Sequence, residues 1–455
     1  MKIVSAIKIF TIVFILLCFA GCINNPGNQR KVAEFTIIQL DPTHGHAAAA
    51  QSEQLSGLDT NVYVYAPDLT AVEPYLQQIN SFNLRSDNPT KWLEIPYYGQ
   101  DYLEKMASEK KGNIVVLAGN NRVKIDYIEK SIQAGMNVFS DKPIVINKEG
   151  FDRLKRVYEL ATEKGLVLFD MMTERYSLIN RIQKSLMQDS LLFGHLLPGT
   201  PDHPSVIESS VHHFYRGGKG TRPAWYFDVQ QQGEGIVDVT THLIDLSFWK
   251  SFPDQSIDFN RDVNVLSASH SPVIITKSAF AAATSLPEIP SSLNNYMKDS
   301  VLEVYANGSI TYCVKGINTR VNVEWRPATP PGGNDLRNAC AEGTKCTLII
   351  SQEFGQTSPK LCVQKGEKVS DQQFKIVLQN AIGSLQNEYP GISLSGDGNP
   401  VQINIPSGLR SSHDPTFKVF LGFLKNKDMP KWEVPNTLAK YYITTTALEM
   451  AKQKK

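Results

Sequence analysis

Three side chains in this sequence have types and spacing suited to moving a proton at a hydroxyl group. His242 carries an imidazole whose ordinary pKa lies near neutrality, which makes it the best candidate base. Asp238 lies four residues before it, a spacing that puts both side chains on one face of a helix. The carboxylate there can orient the ring or bind a neighbouring hydroxyl. Lys142 stands just past the run Asn137-Val-Phe-Ser140. Each has a plainer reading beside it. Lys142 also reads as a solvated lysine after a strand, Asp238 as a helix N-cap behind Gly233 and Gly235, and His242 as a core histidine. His44, His46, His212, His213 and His242 match no standard ligand spacing, so no metal site is expected. Cys313, Cys340, Cys346 and Cys362 contain no CxxC pair. They read as one or two disulfides, with Cys340 and Cys346 nearest in sequence, or as small buried apolar residues.

The elements that must position these residues follow two patterns. Phe35–Leu40, Asn61–Ala66, Asn113–Ala118, Asn137–Ser140 and Leu166–Asp170 read as strands. Between them, Ala47–Leu55 is alanine-rich, Ile125, Ile128 and Ile132 recur at helical spacing, and Lys148–Lys164 is amphipathic; residues 81–99 read as irregular. Alternating strands and helices imply a parallel, doubly wound α/β sheet over residues 33–175. From 176 to 455 the expectation changes to an α+β domain with an open, mainly antiparallel sheet. Its helices are expected at Leu178–Leu186, Gly233–Trp249 and Asp371–Tyr389, with a C-terminal helix at Asn436–Lys452. Its strands are expected at Val206–Tyr215, Val263–Ser269, Ser300–Tyr305, Ser309–Lys315, Val321–Trp325 and Thr347–Ile350.

A chain of 455 residues exceeds one ordinary core, and 42% hydrophobic with 20% charged residues is globular composition. The net charge of +1 becomes −1 once Lys2 and Lys8 are removed with a leader, which excludes a nucleic-acid binder of the basic kind. Those two lysines precede an uncharged run from Ile9 to Ala20, too short to span a bilayer. Phe19-Ala20-Gly21-Cys22 resembles the bacterial lipobox. The expectation is a signal peptide over 1–21, lipidation of Cys22, a flexible tether over 22–32, and an exported protein anchored to the cell envelope. A plain signal peptide cut elsewhere is the alternative.

Several segments in order resemble one family. Ile114-Val-Val-Leu-Ala-Gly-Asn-Asn121 is a strand ending in a polar turn, and Asp141-Lys142-Pro143 is similar to a Glu-Lys-Pro motif. Thr173-Glu-Arg-Tyr176 resembles an Arg-aromatic pair. Gly233-Glu-Gly-Ile-Val-Asp238-Val-Thr-Thr-His242 resembles a glycine-rich, Asp-x-x-x-His helix, with Arg222-Pro-Ala-Trp225 before it. Together these resemble the glucose–fructose oxidoreductase / inositol dehydrogenase (Gfo/Idh/MocA) family, a Rossmann-like dinucleotide-binding domain joined to a sugar-binding domain.

The resemblance implies that Lys142, Asp238 and His242 surround the reacting carbon of a small carbohydrate, with NAD or NADP as cofactor. It places His44, Gly45, His46, Asp68, Asn120, Asn121 and Lys142 toward the cofactor, and Arg175, Tyr176 and Trp225 toward the substrate. The implied activity is oxidoreduction at a sugar or polyol hydroxyl. A redox-neutral NAD-dependent glycoside hydrolase and a non-catalytic carbohydrate-binding lipoprotein are the alternatives. An exposed sheet face in the second domain would suit a homo-oligomer. The sequence departs from the family at the turn after the first strand. The family's Gly-x-Gly-x-x-Gly there lets the backbone approach a pyrophosphate. Leu40–Ala47 keeps only Gly45, while Asp41 brings a negative charge and Pro42 removes an amide donor.

Overall fold

The computed structural model describes residues 33–218, 220–330, 333–396, 398–409 and 415–453. The leader, Cys22 and the tether lie outside the described residues. The first half folds into six parallel strands: β1 (Ile37–Leu40), β2 (Asn61–Ala66), β3 (Leu93–Tyr98), β4 (Ile114–Leu117), β5 (Asn137–Asp141) and β6 (Leu168–Met171). Their order is β3-β2-β1-β4-β5-β6. Successive residues face opposite sides of the sheet. Ile114 and Val116 meet Ile37, Val62 and Phe139 on one face, while Val115 and Leu117 meet Ile38, Leu40 and Val138 on the other. Burial on both faces explains why these strands are almost wholly apolar. The order reverses between β1 and β4, which opens a crevice at the carboxyl ends of those strands, the place where such sheets bind ligands.

Helices α1 (Leu69–Leu84), α2 (Tyr102–Glu109), α3 (Asn121–Gln133) and α4 (Lys148–Glu163) connect the strands. Two elements, β3 and α2, arise where the sequence shows no clear period. β3 contains Pro96 but lies at the sheet edge, where a missing N–H need not break a ladder. The alanine-rich stretch gives only a short 3-10 turn, Ala47–Gln51. Gln39 donates to both the Ala47 carbonyl and Gln51 Oε1, each at 2.9 Å, and draws the turn against the sheet.

The second half builds a sheet of ten strands. They are β7 (Val206–Tyr215), β8 (Val263–Ile275), β9 (Met297–Lys298), β10 (Val301–Val314), β11 (Ile317–Ala328), β12 (Leu336–Glu342), β13 (Cys346–Ser351), β14 (Lys360–Lys365), β15 (Ser393–Ser395) and β16 (Val401–Asn404). The order is β15-β16-β14-β13-β12-β7-β11-β10-β8, with β9 beside β10. Only β7 and β11 run parallel to each other; the other pairings are antiparallel.

The helices of this half are α5 (Leu178–Met187), α6 (Val229–Gln232), α7 (Thr240–Ser251), α8 (Lys277–Thr284), α9 (Asp371–Ser384), α10 (Thr416–Asn426) and α11 (Glu433–Gln453). α5 and α9 pack on β12, β13 and β14. α7 and α11 pack on β10 and β11. The chain then returns to the first sheet, where Phe417 and Phe420 of α10 pack with Phe139 and Phe169, and Tyr441 of α11 joins the opposite face. Among the described residues no helix is long and apolar enough to cross a membrane.

The expected helix from Gly233 to Trp249 is not continuous. α6 ends at Gly233, whose φ of 90° is left-handed, and residues 235–239 form a turn before α7. The turn docks on β10: Gly235 N–H donates to the Tyr305 carbonyl at 3.0 Å. A Cβ at Gly235 would lie 1.6 Å from the Ala306 carbonyl oxygen. The pairing of β10 with β8 shifts register between Val304 and Asn307, beside this contact, and the two strands expected at Ser300–Tyr305 and Ser309–Lys315 run on through it as one. Gly235→Ala is expected to cost about 1–3 kcal/mol of stability by overpacking, read as a lower denaturation midpoint at an unchanged m-value.

Candidate active site

Lys142 follows directly on β5 of the first sheet, and Asp238 lies in the turn that Gly235 docks on the second. The Lys142 Nζ donates to Asp238 Oδ1 at 2.6 Å, and Gln232 Nε2 donates to the other carboxylate oxygen at 2.9 Å. Asp238 is buried, while the Lys142 side chain keeps 12% of its surface exposed. Burial works against the ammonium, but Asp238 and then Asp141 outweigh it and raise the Lys142 pKa. Lys142 is therefore a charged hydrogen-bond donor rather than a base. His242, in the first turn of α7, is buried, and its Nδ1 has no hydrogen-bond partner. Burial, then the charges of Lys142 and Arg337, lower its pKa well below the ordinary 6.5. The ring is thus a neutral imidazole at physiological pH. Asp238 does not cap α7, whose N-cap is Val239 without a side-chain bond, and it reaches the site from the turn rather than from a shared helix face.

A cleft of about 230 Å³ is lined by Leu243, which follows His242 in the chain, and by Glu174, Asn180, Glu208, Asp335, Arg337 and Gln352, while Lys142, Asp238 and His242 themselves are not part of its lining. Sequence reasoning missed most of these side chains. Asp335 oxygens face His213 Nδ1 at 3.1 Å and His212 Nδ1 at 3.3 Å. His212 also contacts Ser210 Oγ at 3.0 Å and lies against the Trp325 ring. Arg337 donates to Glu174 Oε1 at 2.6 Å. The signal that could have found His212 was its place on the expected strand Val206–Tyr215, which is β7. Arg337 lies on β12 and Asp335 just before it, in a strand the sequence does not announce.

Arg175 requires a correction. It is buried and meets no cleft: Nε and Nη2 grip the two Asp245 oxygens, each at 2.6 Å, and Nη1 donates to Glu433 Oε2 at 2.8 Å. Lys440 bridges Asp245 at 3.3 Å and Asp170 at 2.9 Å, and all five groups are buried. A guanidinium locked this way is a structural strut. Tyr176 is half-buried at the end of the 3-10 turn Thr173–Tyr176, and Trp225 is half-buried in the turn Ala224–Phe227. It is the neighbouring Tyr226, buried, whose hydroxyl belongs to the charge environment of Lys142 and Asp238.

The residues expected at the cofactor also divide. Asn120 caps α3 and donates to Gln231 Oε1 at 2.7 Å. Asn121 is buried, donates to the Gln232 carbonyl at 2.8 Å and accepts from Lys124 Nζ at 2.6 Å. Both tie the two sheets together through α6. Asp68, exposed after β2, caps α1 through the Ala71 N–H at 3.0 Å. Gly45 has open space where a Cβ would stand, so nothing in its packing demands glycine. The amides of Thr43, His44, His46 and Ala47 are spent inside the turn or on Ala118. Asp41 adopts a left-handed φ of 50°, accepts from the Tyr127 hydroxyl at 3.1 Å, and has its pKa raised by burial. Gly119 permits the close crossing here, since a Cβ would lie 2.6 Å from the Asp41 carbonyl oxygen. His44 and His46 both face Asp141, at 3.2 and 3.1 Å, and burial with the neighbouring His46 pushes His44 down to about 3. The four cysteines Cys313, Cys340, Cys346 and Cys362 are free thiols, and burial pushes Cys340 up to about 11.

Comparison with known proteins gives the same division. Residues 46–171 match the model described as "Oxidoreductase family, NAD-binding Rossmann fold", and residues 182–452 match "Putative oxidoreductase C terminal domain". The chain belongs to the Gfo/Idh/MocA oxidoreductase family. A crystal structure of a "putative oxidoreductase" from Parabacteroides merdae is 41% identical, covers 93% of this chain and 98% of that one, and superposes with a TM-score of 0.90. The "3-ketoreductase" KijD10 of Actinomadura kijaniata, crystallised with NADP and TDP-benzene, shares the fold at 11% identity and a TM-score of 0.54, over 90% of this chain and 95% of that one. Among curated proteins, the "Putative oxidoreductase YteT" of Bacillus subtilis is 28% identical over 95 residues, and the match spans about a fifth of each chain.

A dinucleotide suits the crevice of this family member. The orphaned Nδ1 of His242, in the field of the Lys142 ammonium, leaves hydrogen-bonding capacity that no protein group uses. Of the amides that could approach a pyrophosphate, those of Asp41, Thr43, His44, His46 and Ala47 are already bonded within the protein. If Arg175 is a strut, Arg175→Ala strands Asp245 and Glu433 and lowers unfolding free energy by about 3–5 kcal/mol, measured by chemical denaturation. A purely substrate-binding role would instead raise KM at unchanged stability.

Proposed function

We propose that this chain is an NAD(P)-dependent oxidoreductase acting on a hydroxyl-bearing carbon of a sugar or polyol. The observation that carries the reading is the Lys142–Asp238 ion pair, whose lysine charge acts on a neutral His242 with an unpartnered Nδ1, near a cleft that its chain neighbour Leu243 lines. A lining of carboxylates, amides and a guanidinium matches the donors and acceptors of a polyhydroxyl substrate. The neighbour named a 3-ketoreductase, bound to NADP, supports interconversion of a hydroxyl and a carbonyl.

The residues divide the work by charge state. Bound NAD(P) supplies the hydride acceptor or donor at the substrate carbon. Lys142 donates a hydrogen bond to the substrate oxygen and stabilises the charge that grows there as the proton leaves. His242, neutral because of its burial and of Lys142, takes that proton in oxidation and returns it in reduction. Asp238 and Gln232 hold the ammonium in place. His44, Gly45 and His46 would face the phosphates, Asp68 the adenosine ribose, and Tyr176 and Trp225 the outer substrate.

We also propose that Cys22 carries a lipid anchor at the bacterial cell envelope. The Ala20-Gly21-Cys22 sequence supports this, and a Cys22→Ser protein that still partitions with membranes would refute it.

Lys142→Met is expected to lower kcat/KM by about 10²–10³-fold while leaving dinucleotide retained in the purified protein, read by native mass spectrometry. In the wild type the acid limb of kcat/KM should lie well below pH 6.5. Removing the Lys142 charge removes one of the causes that depress His242, so the limb of the variant should move up in pH. A limb that stays in place, or full activity in the variant, would overturn the assignment.

A further inference from the structure

The turn that departs from the family pattern carries a feature of its own. His44 and His46, two residues apart after β1, converge on Asp141 at the end of β5, and one ligand atom from each lies within 4.8 Å of the others. We propose that His44, His46 and Asp141 form a binding site for one divalent first-row transition ion such as zinc or cobalt.

The spacing supports coordination. The Nδ1 atoms of His44 and His46 lie 3.2 and 3.1 Å from the two Asp141 oxygens. Donors bound at zinc distances of about 2.0–2.1 Å lie about 3.0–3.4 Å from one another, so little movement is needed to admit an ion. The protonation pattern also points to a cation. The His46 backbone N–H lies 3.2 Å from His44 Nδ1, and in the tautomer that accepts this contact that nitrogen carries no proton. An imidazole lone pair and a carboxylate oxygen then face each other at 3.2 Å, two acceptors with no proton between them. An ion placed there takes over the lone pair from the long amide contact and answers both acceptors at once.

The surroundings fit as well. The Asp141 side chain is only 5% exposed, whereas those of His44 and His46 keep 26% and 46%, so the remaining coordination positions open toward solvent. The nearby amines do not compete for the carboxylate. Lys124 donates to Asn121 and to the main-chain carbonyls of Asp141 and Pro143, and Lys142 is committed to Asp238. Two imidazoles and a carboxylate suit zinc, cobalt, nickel or iron(II) rather than calcium or magnesium. If the dinucleotide binds as proposed, an ion here would place positive charge at a turn where the amides of Thr43, His44, His46 and Ala47 are already spent.

The test uses the untagged, chelator-treated full chain without any dinucleotide, so its failure is separate from failure of the oxidoreductase reading. Titration with cobalt(II), followed by visible d–d absorption and calorimetry, is expected to show one equivalent bound and displaced by zinc. His46→Ala, on an exposed side chain, should weaken binding by about 100-fold or more, as should His44→Ala, both at unchanged thermal unfolding. His203→Ala, an exposed histidine elsewhere, should change nothing. No saturable cobalt signal, or binding that survives His44→Ala with His46→Ala, would overturn the site.

Discussion

The ion pair between Lys142 and Asp238 holds the chemistry of this protein to its fold. It joins the end of a parallel strand to a turn 96 residues later, at 2.6 Å. A buried carboxylate and a nearly buried ammonium cannot stay apart at this depth without a penalty of several kcal/mol, so the two halves of the molecule must meet here. The same pairing fixes the protonation states. It keeps the lysine charged, and that charge, acting after burial itself, keeps His242 neutral. One contact therefore sets both the donor and the acceptor.

That contact depends on a scaffold of buried charge one turn further along α7. Asp245, one turn after His242, is gripped by Arg175 and Lys440, which reach Glu433 and Asp170 in turn. These residues come from the end of the first sheet, from α7 and from α11, so the network fixes the helix bearing His242 against both layers. Such networks add little net stability but are severe to break, and they hold an orientation that apolar packing alone would let slide. The return of α11 across the first sheet, with the Tyr441 hydroxyl accepting from Ile144 N–H at 2.8 Å, completes the clamp two residues past Lys142.

What was legible in the sequence follows from what each element needs. Strands buried on both faces must be apolar, and β1, β2, β4 and β5 were visible for that reason; β7 was read at its full bounds although its buried face carries Glu208, Ser210 and His212. β3, with a proline at an edge, and β12 and β14, with polar residues on an open face, lack either signal. Lys142, Asp238 and His242 were found because their motifs stand in order along the chain, yet their mode of contact was misjudged. The spacing of four suggested one helix, whereas Gly235 bends the chain into a turn that only its approach to Ala306 explains. Arg175 sits in a motif position, and no sequence pattern reveals that Asp245 and Glu433, 70 and 258 residues away, would consume it. The histidines of the 41–47 turn gave no ligand spacing because their third partner, Asp141, comes from another strand.

The central claim is that Lys142 and His242 act together on one hydroxyl-bearing carbon beside a nicotinamide. The direct test is transfer of deuterium from a panel of carbon-deuterated sugars and polyols to NAD(P)+ on the purified protein, read by mass spectrometry of the recovered dinucleotide. At least one substrate should deliver a single deuterium with the wild type, and at a rate lower by about 100-fold or more with Lys142→Met. Equal transfer by the two proteins, or dinucleotide that stays unlabelled across the panel while bound, would contradict it.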